Sequence, residues 1–259
     1  MKPNPVKKLL ARGQPTCGSW VSLCSPLGAE VMALAGFDWL LIDMEHGAGD
    51  YQTLLHQLQA VAAAGETVPI VRVQWNDPVV IKRVLDLGAA GVMVPGIATV
   101  DDARRAVGAI KYPPEGFRGI AGVRASRFGQ DPDYLEQAND NIMMFLQFET
   151  VEAVENAGAI LDVPGIDVAF IGPNDLAAAM GHRGDLFNPA VQAAIKQVED
   201  AADARNIPLG SVSRNWEQAK ALFDKHYRAV SIMGDIPFLL SAAKAGVASF
   251  RAHPHAAGR

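Results

Sequence analysis

The segment FLQFETVEAVENAGAILDVPGIDVAFIGPND (Phe145–Asp175) decides the fold. Two apolar runs, Ile142–Phe148 and Val168–Ile171, each lead to a carboxylate: Glu149 follows the first, and Asp175 stands just past the second. Between them lies a helix-like stretch with turn signals on both sides, so the unit reads strand, helix, strand. Such a crossover is right-handed and leaves its two strands parallel, with both strand ends at one edge of the sheet. Both acids therefore arrive at one rim, where parallel α/β folds place their sites. Hard cations such as Mg²⁺ or Mn²⁺ use one or two carboxylates, with substrate and water completing the shell. The pair is thus a candidate metal site; helix capping by Glu149 and a helix start at Asp175 would explain the same spacing without an ion.

Upstream and downstream, the same alternation repeats. Cys17–Leu23 is the first strand and Pro26–Ala35 a helix. Phe37–Asp43 (FDWLLID) is a continuous apolar run ending in acid, as buried parallel strands are. Tyr51–Ala64 is helical by the spacing of Leu54, Leu55, Leu58 and Val61. Pro69–Val73 is strand three and Asp77–Leu87 a helix with Pro78 in its first turn. Gly91–Pro95 is strand four, and Thr99–Ile110 a helix with Asp101 and Asp102 near its positive end. A long irregular segment, Tyr112–Asp133, rich in Gly, Pro and Arg, precedes the opening pair; loops of that length are uncommon unless functional. Asn188–Arg205 is a helix, Ile207–Val212 strand seven, Trp216–His226 a helix and Arg228–Met233 strand eight. Pro237–Phe250 is an apolar final helix, and Met1–Gln14 a basic capping helix or tail. Eight strand–helix alternations without a linker predict one (β/α)8 TIM barrel spanning residues 1–259 as a single domain.

Composition agrees. The chain has 259 residues, 49% hydrophobic and 20% charged, close to the roughly 250 residues of such a barrel. A net charge of -5 gives no support for nucleic-acid binding. Cys17 and Cys24 have no framework around them and read as reduced thiols. With no charged-then-apolar leader and no apolar run long enough to span a bilayer, a cytoplasmic protein without a membrane partner is expected.

The strand ends are polar: Asp43, Glu45 and His46 after strand two, Arg72 on three, Gln147 and Glu149 on five, Gly172, Pro173, Asn174 and Asp175 after six, Ser211 and Ser213 on seven, Gly234 and Asp235 after eight. Gln147 and Glu149 share a strand face by the period of two. Arg72 interrupts an apolar strand and requires an anionic partner, whether substrate or a neighbouring acid. His46 is a candidate acid/base, its tautomer set by Asp43 or Glu45, or a loop histidine on a backbone carbonyl. Lys82, Lys111, Lys196, Lys220, Lys225 and Lys244 all fall on helices or their ends, which argues against imine chemistry. Asp235 reads equally as a contact to a substrate hydroxyl or as a helix cap.

GFDWLLIDMEHG (Gly36–Gly47), VRVQWNDP (Val71–Pro78), YPPEGFRG (Tyr112–Gly119), QFET (Gln147–Thr150) and FIGPNDL (Phe170–Leu176) run in one order over nearly the whole chain. Together they resemble the metal-dependent (class II) pyruvate aldolases of the 4-hydroxy-2-oxoheptanedioate and 2-dehydro-3-deoxyglucarate type. The resemblance implies reversible cleavage of 4-hydroxy-2-oxoacids to pyruvate or hydroxypyruvate and an aldehyde. It implies a divalent cation (Mg²⁺, Mn²⁺ or Co²⁺) on Glu149 and Asp175, and Arg72 on the C2 oxygen. Gln147 would sit beside the metal, and the Gly172–Asp175 turn, through the Asn174 and Asp175 amides, would take the pyruvate carboxylate. His46 and Asp43 would serve the acid/base step, with Asp86 reaching in from a neighbouring subunit. Trp20 and Phe170 would line the aldehyde side. A homo-oligomer, a trimer or a hexamer with the last helix exchanged between barrels, is implied as well. An acyl-CoA-linked lyase of the same barrel type, a phosphate-binding barrel isomerase and a non-catalytic binding protein are the alternatives.

Overall fold

The structure, a computed structural model, describes residues 3–253; positions 1 and 2 of the expected N-terminal helix lie outside the described residues. Eight parallel strands close into a barrel in chain order. They are β1 (Thr16–Val21), β2 (Trp39–Asp43), β3 (Val68–Arg72), β4 (Gly91–Val94), β5 (Met143–Phe148), β6 (Val168–Ile171), β7 (Leu209–Ser213) and β8 (Ala229–Gly234). The helices are α1 (Pro5–Ala11), α2 (Pro26–Leu34), α3 (Tyr51–Ala64), α4 (Pro78–Asp86), α5 (Val100–Ile110), α6 (Tyr134–Asn141), α7 (Val151–Glu155), α8 (Ala157–Leu161), α9 (Pro173–Ala179), α10 (Pro189–Asp203), α11 (Trp216–Asp224) and α12 (Asp235–Ala252). The (β/α)8 expectation holds, with two local corrections. The expected single helix between β5 and β6 is two short ones meeting at Asn156, whose side chain donates to Ala98 O at 2.9 Å. The irregular segment is followed by α6, absent from the sequence reading.

The pleat divides each strand between two cores. Met143, Phe145, Val168, Phe170, Trp39, Leu41, Val68, Ile70 and Met93 fill the barrel interior, and Val6 and Leu10 of α1 close one end of it. Met144, Leu146, Phe148, Leu40, Ile42, Val71, Val92 and Val94 face outward onto the helices. The inward row on β2 is therefore Trp39, Leu41, Asp43; on β3 it is Val68, Ile70, Arg72; on β5 it is Met143, Phe145, Gln147. Each row begins apolar and ends in a polar group at the same end of the barrel, which fixes where chemistry can occur. Gly18 is the one residue that fits beneath Trp39: a Cβ there would stand 2.2 Å from the indole ring.

The first and last strands are joined by side chains as well as by the ladder. Trp20 Nε1 donates to Ser231 Oγ at 2.9 Å, and Ser19 Oγ to Ile232 O at 3.0 Å. Asp235, 4% exposed, accepts from Ser22 N at 3.0 Å and Leu23 N at 2.9 Å. It therefore ties the exit of β1 to the start of α12 and lines neither strand-end cavity; of the two sequence readings, the substrate contact is not supported. Replacing Asp235 with alanine is expected to lower the unfolding free energy by about 1–3 kcal/mol, because it removes a buried acceptor from two part-buried backbone donors. A chemical-denaturation midpoint unchanged from the parent protein would contradict that assignment.

Candidate active site

Arg72 is the centre of the polar rim. Asp43 and Arg72 are register partners on adjacent strands, so their inward side chains meet. Arg72 Nε donates to Asp43 Oδ1 at 3.0 Å and Nη2 to Oδ2 at 2.8 Å, a two-pronged pair. The pair is buried, at 4% exposure for Asp43 and 6% for Arg72. Arg72 Nη1 lies 3.0 Å from Glu45 Oε2, an oxygen that accepts no aligned hydrogen bond. The guanidinium also stacks on Trp20, 4.3 Å from the ring centroid. Burial, two acids and an aromatic face thus hold one cation at a fixed place and angle.

Asp43 also organises the loop that follows it. Its Oδ1 accepts from Glu45 N at 3.1 Å and His46 N at 3.2 Å. The sequence reading offered Asp43 or Glu45 as the group fixing the His46 ring. The structure corrects this: the Asp43 carboxylate positions His46 through the backbone, and among the described residues no hydrogen bond reaches the imidazole.

Glu149 continues the inward row of β5 one step beyond Gln147. Its Oε1 accepts from Gly96 N at 2.8 Å, and its Oε2 from Gln147 Nε2. It does not cap the next helix; Thr150 does, accepting from Ala153 N at 3.1 Å. Asp175 sits in the first turn of α9, where Pro173 is in the opening position. Both acids border one groove of about 680 Å³ together with Glu45, His46, Trp75 and Gly96. Burial pushes the Glu149 carboxyl above its ordinary value, and the negative charges of Glu45 and Asp175 add to the rise. Glu45 is raised likewise, by burial first and then by Asp43 and Asp175, against the lowering pull of Arg72. Carboxylates crowded this way disfavour ionisation unless a cation joins them.

The fit to a divalent ion can be judged from the donors themselves. Gln147 Oε1 is buried and has no partner, and beside it stand the carboxylates of Glu149 and Asp175. An unpaired amide oxygen next to two hard oxygen donors suits an oxygen-seeking cation. Among the described residues no group of three or more His, Cys, Asp or Glu side chains is placed to hold a metal ion.

A second cavity of about 250 Å³ meets the groove at His46 and Asp175. Trp20, His46, Arg72, Gln147, Phe170, Gly172, Pro173, Asn174, Asp175 and Val212 line it. A profile of the HpcH/HpaI aldolase/citrate lyase family matches residues 16–241. The chain belongs to this family. It is 44% identical to a 4-hydroxy-2-oxo-heptane-1,7-dioate aldolase of Salmonella dublin over 257 residues, covering 98% of this chain and 97% of that protein. It is likewise 44% identical to the aldolase of that name from Klebsiella pneumoniae over 250 residues, or 95% and 94% of the two chains. A solved HpcH/HpaI aldolase/citrate lyase family protein from Burkholderia cenocepacia J2315 superposes with a TM-score of 0.93 at 38% identity, covering 96% and 100%.

In this HpcH/HpaI-family barrel, nine residues expected from the sequence line the cavity, and Glu149 lies in the adjoining groove. Asp43 touches Arg72 from behind. Asp86 is the exception: it stands at the end of α4, bonded to Arg118 Nη2 at 2.9 Å, and lines neither cavity of its own barrel. Sequence reasoning missed Val212 and the Gly96 amide as parts of the site; the neighbouring acids that it allowed Arg72 as partners are Asp43 and Glu45. Glu45 was visible as a strand-end acid; nothing in the sequence marks Gly96 as a donor to a residue 53 positions away.

Proposed function

We propose that this chain is a class II aldolase that reversibly cleaves 4-hydroxy-2-oxoacids to pyruvate, or hydroxypyruvate, and an aldehyde. The observation that carries this reading is the immobilised Arg72 guanidinium facing a cavity whose opposite side adjoins two crowded carboxylates. The names borne by full-length relatives at 44% identity support it.

The chemistry requires negative charge to develop on the C2 oxygen of the oxoacid. Arg72 meets that oxygen as a donor whose orientation is set before substrate arrives, the kind of electrostatic contribution that usually dominates catalysis. Glu149 and Asp175 hold a divalent cation, Mg²⁺, Mn²⁺ or Co²⁺, which when bound supplies Lewis-acid stabilisation of the same developing charge. Gln147, its Oε1 otherwise unpaired, orients groups beside that ion. The pyruvate carboxylate sits against the turn Gly172–Asp175, where the Asn174 and Asp175 amides are first-turn donors without intrahelical partners. Trp20 and Phe170 form the apolar wall toward the aldehyde. His46 moves the proton of the C4 hydroxyl, with Asp86 of a neighbouring barrel as its partner.

That last role requires a homo-oligomer, a trimer or a dimer of trimers. The surface of α12 supports association: Ile236, Leu239, Leu240, Val247 and Phe250 are all exposed, an apolar display that isolated proteins rarely keep.

The test is an aldol panel: pyruvate and hydroxypyruvate as donors, several aldehydes, with and without Mg²⁺, Mn²⁺ or Co²⁺. Metal-stimulated carbon–carbon bond formation with either donor is expected. Cleavage of a malyl thioester in place of hydroxy-oxoacids would favour the acyl-CoA-linked alternative.

A further inference from the structure

Between α5 and α6 the chain runs through residues 111–133 with one short 3-10 turn, Arg124–Ser126. Two arginines of this segment close on the end of α4. Arg118 Nη2 donates to Asp86 Oδ1 at 2.9 Å, and Arg124 Nη1 donates to the carbonyl of Leu87, the cap residue of that helix.

The Arg118–Asp86 pair is lopsided. The Arg118 side chain is 0% exposed and that of Asp86 20%. The guanidinium lies 4.7 Å from the Tyr112 ring centroid, and Nη2 also reaches the Tyr134 hydroxyl at 3.4 Å. Its Nε and Nη1 are buried without an acceptor. A buried cation with one acidic partner and two unused donors is a poor way to stabilise a fold, since an apolar side chain of similar volume generally does as well or better. The acid is no better placed for the helix: as the last residue of α4 it stands at the negative end of the dipole. What the arrangement does provide is direction. One oxygen of Asp86 is pinned to an immobile group, and among the described residues no hydrogen bond reaches the other, Oδ2.

The surrounding face suits a second copy of this chain. Val79, Lys82 and Asp86 share one face of α4 by their spacing of three and four. The irregular segment packs along that face, with Lys82 Cδ 3.5 Å from where a Cβ on Gly119 would stand. Val79, Phe117, Ile120 and Phe128 are exposed, apolar groups of the kind that associating surfaces cover.

We propose that Arg118 is a positioning residue, which holds the Asp86 carboxylate by Oδ1 and leaves Oδ2 for His46 of the adjoining barrel. This rests on the reading above in which Asp86 crosses to a neighbouring copy. Residues 111–133 then serve as a brace on the end of α4, with Arg124 as its second fastening.

Mixed oligomers provide the test, because the brace acts in the chain that donates Asp86 and His46 acts in the chain that receives it. Arg118→Met, of similar volume, should lower aldol kcat by about 10- to 100-fold with KM little changed, the range typical of residues that orient a working group. Arg118→Lys, which keeps the charge, should recover part of the loss. Co-expression of Arg118→Met with His46→Ala chains should restore activity toward about a quarter of the parent's, the share of neighbour pairs in a randomly mixed ring that unite a sound Asp86 with a sound His46. Damage to the Arg118→Met barrel itself is not restored by this pairing. Arg118→Gln repeats it if Arg118→Met does not assemble, and Asp86→Asn with His46→Ala is the control. Rescue of the control pair alone, or parent-like kcat in Arg118→Met, overturns the assignment of Arg118. Parent-like kcat in Asp86→Asn, or a loss there that His46→Ala chains do not restore, overturns the crossing of Asp86, and this inference falls with it.

Discussion

Arg72→Ala is expected to reduce aldol kcat/KM by about 10³-fold, near the upper end for loss of one oxyanion donor, and to destabilise the fold at the same time. The second effect follows from Asp43. That carboxylate is buried and takes two hydrogen bonds from Arg72; without them a charge is stranded, at a cost of about 3–5 kcal/mol. A low rate in Arg72→Ala alone therefore conflates catalysis with stability. Arg72→Lys separates them, since an ammonium keeps the charge beside Asp43 and Glu45 while losing the fork that serves Asp43, Glu45 and substrate together. Most of the denaturation midpoint should survive in Arg72→Lys, and most of the turnover should not. Parent-like turnover in Arg72→Lys at a parent-like midpoint would remove the oxyanion role.

Glu149→Gln and Asp175→Asn should each weaken divalent-ion affinity at least 100-fold, more than the roughly 10- to 100-fold typical of groups one shell further out, with turnover falling in step. Mn²⁺ titration by calorimetry measures the first and the aldol assay the second. Ion affinity unchanged in both variants would mean that these acids hold no metal. The same crowding sets a pH dependence. Glu149 and Glu45 are raised in the folded state, so the metal-free folded protein binds protons more readily than the unfolded chain there. Its stability should rise as pH falls through the window just above the ordinary glutamate value of 4.5, and decline as pH climbs back through it. Ion affinity should move the opposite way, weakening as protons compete for the same oxygens. Thermal melts across that window, with and without Mn²⁺, test both signs.

The barrel was legible because its strands are. FDWLLID and the runs before Glu149 and Asp175 are too short and too uniformly apolar for surface helices, and each ends in a polar group. That one pattern locates the interior, the rim and most of the cavity lining. The missed α6, YLEQANDN, buries only Tyr134 and Ala138, too few apolar positions to impose a helical period. The break at Asn156 rests on a hydrogen bond to Ala98 in another part of the fold, which no local propensity encodes. The site divides in the same way. Side chains on the inward row follow from counting by two, whereas the hold of Asp43 on the His46 backbone, of Gly96 on Glu149 and of Arg118 on Asp86 depends on loop paths. Asp235 shows how an acid at a strand end can be wholly structural: its oxygens are spent on the backbone of Ser22 and Leu23.

The seam between the first and last strands bears on how this molecule comes into being. Trp20, the aromatic platform beneath Arg72, reaches its hydrogen-bonding partner across 211 residues of sequence. While the chain is being synthesised the platform therefore has nowhere to dock until β8 has emerged, and a nascent fragment presents the guanidinium without its stacking surface. Seven strands precede β8 and can pair in order before it is made, yet binding competence arrives only with the final closure, so the C-terminal end of the polypeptide acts as the latch on a site whose chemistry is carried mostly by earlier residues.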